Sequence, residues 1–70
     1  GEYREALGFF DAALRLKPVS AQAENNRGIV LYALGKYKEA ISCFRRAIVA
    51  SPEFAEPYNN LGVALSQTGK

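Results

Sequence analysis

Apolar residues recur three and four places apart along most of the chain. Ala6, Leu7, Phe10, Ala13 and Leu14 share one helical face, and Tyr37, Ala40, Ile41, Phe44, Ala47 and Ile48 share another. No period-two alternation competes, so the pattern predicts an all-α chain of four helices. The expected spans are Tyr3–Leu16, Ala21–Leu34, Tyr37–Ala50 and about Ala55–Thr68. Punctuation residues set the limits. Pro18 and Pro52 stop the first and third helices, because proline lacks the N–H and disfavours helix at the preceding residue. Ser20 is placed to cap the second helix, and Gly35 to end it with a left-handed residue. The two-residue turn Gly35-Lys36 makes the second and third helices antiparallel neighbours. Phe54 is placed to staple the start of the last helix, and Pro57 fits its first turn.

The helical pattern repeats with a period of thirty-four residues. Tyr3, Ala6, Phe10, Ala13 and Pro18 match Tyr37, Ala40, Phe44, Ala47 and Pro52. Gly28 matches Gly62, Asn25-Asn26 matches Asn59-Asn60, and Leu31 matches Leu65. A fixed period of this size marks a solenoid array of helix–turn–helix units. The expected division is a second helix of one unit in residues 1–20, a complete unit in 21–54, and a first helix of another in 55–70. Gly1 stands in place of an initiator Met, so the chain is expected to be a piece of a longer one.

These marks resemble the tetratricopeptide repeat family over the whole chain. The family pattern has a small residue in the first helix (Gly28, Gly62) and a large one three places on (Leu31, Leu65). An aromatic opens the second helix (Tyr3, Tyr37), alanine, aromatic and alanine follow, and proline closes the unit. The resemblance implies a superhelix whose first helices line a concave groove that takes a peptide or partner segment. It places Gln22, Asn25, Asn26, Ile29 and Ala33, with Glu56, Asn59, Asn60, Val63 and Gln67, on that groove. Asn26 and Asn60 would each offer a donor and an acceptor to an extended backbone. Ile29 and Val63 would anchor apolar side chains. No cations flank the asparagines, so no carboxylate clamp is expected. The complete unit departs from the pattern at Glu24 and Arg27, where the family usually has large apolar residues. Lying three apart on one face, the two are placed to pair with each other, and they are expected at a solvated edge with the Arg27 stem over apolar neighbours, a ligand role being the alternative.

Composition narrows the chemistry. The chain has 70 residues, a net charge of +2, one cysteine and no histidine. That excludes an internal disulfide framework and any zinc-ligand spacing, and no cofactor or metal is expected. No activated nucleophile or acid–base pair is visible, and Cys43 reads as a small packing residue. The leading expectation is therefore a non-enzymatic protein–protein interaction scaffold. The alternatives are an RNA-binding helical repeat and the scaffold part of a larger enzyme. The ten groove positions carry no Lys or Arg, so nucleic acid is not the expected partner. No apolar run is long enough for a membrane span. A chain this short buries only about 60% of its unfolded surface. The faces of Tyr3, Leu7 and Phe10, and of Tyr58, Leu61 and Leu65, are expected to be uncovered and to promote head-to-tail self-association.

Overall fold

The computed structural model describes the backbone of residues 2–16 and 20–69 and the side chains of residues 2–9 and 20–69. Four helices follow one another: α1, Glu2–Leu16; α2, Ala21–Ala33; α3, Tyr37–Ala50; and α4, Glu56–Thr68. Each lies within a residue of its expected span. The stop assigned to Pro18 falls outside the described residues.

The helix ends are set by local chemistry. Ser20 Oγ accepts the Ala23 N–H at 3.2 Å and satisfies one of the free donors at the start of α2. At the other end the Gly35 N–H donates to Tyr32 O and the Lys36 N–H to Leu31 O, both at 2.9 Å. This paired closure needs a left-handed residue, and Gly35 supplies it with φ of 81°. Gly69 occupies the same place in the repeat but stays right-handed, with φ of −74°. Pro57 lies in the first turn of α4, where no N–H is needed.

Each helix packs on the next, and α2 also touches α4. The Cα extents of 35 × 32 × 14 Å leave room for two layers of helices in the thinnest direction. The core is built on the α3 stripe. Ala40 and Cys43 are fully buried, Phe44 is 1% exposed, and Leu31 of α2 and Ala64 of α4 close over them. Leu7, Tyr32, Ile41 and Leu61 pack around this centre. Burying a Phe side chain contributes roughly 2 to 3 kcal/mol. The ring of Phe44 lies so close to Gly28 that a Cβ there would stand 2.5 Å from its Cε1.

Glu24 corrects the sequence reading. It is 5% exposed, not at a solvated edge. The helical period carries position 24 to the same side of α2 as Gly28 and Leu31, against α3. A carboxylate held there needs a cation, and Arg46 of α3 provides it, with Nε donating to Oε2 at 2.7 Å. Oε1 has no hydrogen-bond partner among the described residues. Arg27 is half-buried, and its Nη1 donates to Cys43 Sγ at 3.0 Å. Arg46 Nη2 reaches the same sulfur at 3.4 Å. The α2–α3 junction thus carries a polar seam where a large apolar pair was the pattern.

Candidate partner-binding face

The expected groove positions sit on α2 and α4, which lie side by side. Gln22, Ile29, Ala33, Glu56, Asn59 and Val63 are exposed, and Asn26, Asn60 and Gln67 are half-buried. Ile29 and Val63 remain 43% and 45% exposed. Between the two helices lies a cleft of 110 Å³ lined by Ile29, Tyr32, Phe44, Asn60 and Val63. Its walls are apolar apart from one amide.

Asn25 does not belong to this face. It is fully buried. Its Nδ2 donates to Glu56 Oε1 at 3.2 Å, and its Oδ1 accepts from Asn60 Nδ2 at 2.9 Å. Asn25 and Asn26 are adjacent and point about 100° apart, and only Asn25 is turned fully away from solvent. Asn25 is turned into the α2–α4 junction, and Asn26 is half-buried. A buried amide must satisfy both its donor and its acceptor, and the Asn25 bridge does so. This is a structural tie between α2 and α4.

The bridge also changes what Asn60 offers. One N–H is committed to Asn25, which leaves Oδ1 and the second N–H for a ligand. Asn26 Oδ1 accepts from Gln22 Nε2 at 3.1 Å, an exposed contact along the helix. The two amides of the expected ladder are therefore held differently, one by a neighbouring helix and one by its own.

Tyr32 and Phe44 were not assigned to the face from sequence. Tyr32 follows Ile29 by three residues and so shares its side of α2, a signal that the spacing carries. Its ring packs against Tyr37 at a centroid distance of 5.1 Å, which fixes one wall of the cleft. Phe44 reaches the floor from α3, and no spacing within α2 or α4 announces it.

Cys43 and Arg46 meet Glu24 and Arg27 at the α2–α3 junction, and their surroundings shift both. Burial pushes the Cys43 thiol above its ordinary value, against the opposing pull of Arg27 and Arg46. The hydrogen bond to Glu24 holds the Arg46 guanidinium still more firmly protonated. A neutral, enclosed thiol is a poor nucleophile. Among the described residues no group of His, Cys, Asp and Glu side chains is arranged to hold a metal ion. No helix among them is long and apolar enough to cross a membrane.

Four helices that pack each on the next, with a thirty-four-residue period in the sequence, define a helical-hairpin repeat protein. The sequence profile of the TPR (tetratricopeptide) repeat matches residues 30–69, more than half of the chain. The chain belongs to the tetratricopeptide repeat family, whose domains generally mediate protein–protein interaction and are typically not enzymes. No curated protein matches it significantly.

Proposed function

We propose that this chain is a non-enzymatic scaffold module that binds a peptide or extended partner segment along the α2–α4 face. In this reading residues 21–54 act as one repeat, flanked by the second helix of one unit and the first helix of another. The contacts come from Gln22, Asn26, Ile29 and Ala33 with Glu56, Asn59, Asn60, Val63 and Gln67. Asn25 supports them by fixing the spacing of the two helices. The observation that carries the reading is the apolar cleft between Ile29 and Val63, with the Asn60 amide at its rim. An apolar ligand side chain would enter the cleft, and the amide would hold the neighbouring peptide group.

The test is selection of random peptides against the folded chain, followed by titration against an Ile29→Asp/Val63→Asp variant. Both positions are substantially exposed, so the variant keeps the fold, which circular dichroism verifies. Selected peptides are expected to lose at least tenfold in affinity. Peptides that bind both proteins equally would remove the cleft from the function.

A further inference from the structure

We propose that the partner segment is a peptide stretch that seats one branched aliphatic side chain, Val, Leu or Ile, in the α2–α4 cleft and a Lys or Arg on Glu56. This rests on the cleft being the binding site and adds which side chains it selects.

The size of the cleft excludes rings. Its volume is 110 Å³. A cavity of about 150 Å³ is what benzene fills, so an aliphatic side chain of about four carbons fits here and a phenyl or indole ring does not. A branched side chain also loses less rotamer freedom on burial than methionine does.

The walls are held at that size by their neighbours. Phe44, at the floor, is 1% exposed and lies against Gly28. Tyr32 packs on Tyr37 with ring centroids 5.1 Å apart. Asn60 Nδ2 donates at 2.9 Å to Oδ1 of the fully buried Asn25. Widening the cleft for a ring would disturb one of these contacts. Ile29 and Val63, 43% and 45% exposed, are left to close over the guest.

Charge decides the flank. Of the ten groove positions read from the repeat, Glu56 alone carries a charge. It is exposed, its Oε1 accepts from Asn25 Nδ2 at 3.2 Å, and its Oε2 can take a cation. A basic segment gains this carboxylate and meets no like charge at the ten positions, whereas an acidic segment meets repulsion. Glu56, Asn60 and Val63 follow one another at helical spacing along one side of α4. Val63 lies about two turns beyond Glu56, roughly 10 Å along the helix. An extended peptide covers that length in about three residues, which sets the distance in sequence between the basic residue and the anchor. The Asn60 amide lies between them, with Oδ1 and one N–H left for a peptide group.

The experiment takes the peptides selected against the folded chain that lose affinity for the Ile29→Asp/Val63→Asp variant, and reads their sequences. Val, Leu or Ile is expected at one shared position, with Lys or Arg about three places away. In a synthetic peptide of that sequence, exchanging the anchor for Phe is expected to lower affinity at least tenfold. Glu56→Gln removes the charge and keeps an acceptor for Asn25. It is expected to weaken the basic peptide about threefold, and to leave unchanged a peptide whose basic residue is replaced by Gln. Circular dichroism verifies that the variant is folded. Cleft-dependent peptides with an aromatic anchor, or with an affinity that Glu56→Gln does not alter, would overturn the proposal and leave the cleft standing as the site. If no selected peptide depends on Ile29 and Val63, the site itself fails and the proposal fails with it.

Discussion

Gly28 sits under the edge of the Phe44 ring so tightly that a methyl group at its Cα would fall 2.5 Å from Cε1, 2.8 Å from Cδ1 and 2.9 Å from Cζ. The ring belongs to the buried core and is 1% exposed. The glycine is required by the closeness of two helices, since its own backbone is ordinary helix. The repeat copy, Gly62, has open space where Gly28 has Phe44. Identical residues at identical places in the repeat thus carry opposite sensitivities.

That difference is directly measurable. Gly28→Ala is expected to cost about 2 kcal/mol, the usual penalty for overpacking a filled core. Gly62→Ala is expected to stabilise the chain by up to about 1 kcal/mol through helix propensity alone. Urea unfolding of the two variants checks both signs.

The Asn25 bridge makes a second contrast between adjacent residues. Asn25→Ala removes an amide that is fully buried and leaves Asn60 and Glu56 without their partner. A loss of about 1 to 3 kcal/mol is expected. Asn26→Ala breaks only an exposed contact with Gln22 and is expected to stay within about 0.5 kcal/mol of wild type. Equal losses in thermal or urea unfolding would show that the bridge contributes nothing particular.

The Glu24–Arg46 pair is asymmetric, because Glu24 is enclosed while the Arg46 side chain is 53% exposed. Removing the arginine strands a buried carboxylate, and Arg46→Ala is expected to cost about 3 kcal/mol. Removing the acid leaves a guanidinium that water can reach. Glu24→Leu is therefore expected to be neutral or stabilising, because an apolar side chain replaces a group with one orphaned oxygen. Chemical denaturation of both variants would refute this if the acid proved the costlier loss.

Cys43 adds a pH signature. Its ordinary thiol value is 9.0, and burial raises it in the folded chain. The thiol is neutral in both states below that value, so its contribution to stability is fully present there. Above it the unfolded chain ionises first, and the contribution is lost as the pH rises through the raised folded value. The melting temperature of wild type relative to Cys43→Ala is expected to fall above pH 9.0 and to be level below it. Alkylation of the native thiol is expected to be slow, and fast once the chain is unfolded in urea, as mass spectrometry would show.

Much of the architecture was readable from spacing. Three- and four-residue periodicity located the helices, Ser20 and Gly35 marked two ends, and the thirty-four-residue register identified the repeat. These depend on residues near one another in sequence, which is why one chain read by itself reveals them. The polar positions were read less well. Glu24 was expected in solvent and Asn25 on the groove, yet both are buried. A polar residue at a helix flank is compatible with water or with a partner on another element. Only the arrival of Arg46 from α3, and of Glu56 and Asn60 from α4, decides between them.

The sequence by itself determined the helices, their order and the family, because periodicity, turn chemistry and repeat register are local properties. The tertiary structure decided which of two like residues is buried. It separates Gly28 from Gly62 and Asn25 from Asn26 through what stands opposite each, and burial depends on neighbours that no position in the chain encodes alone.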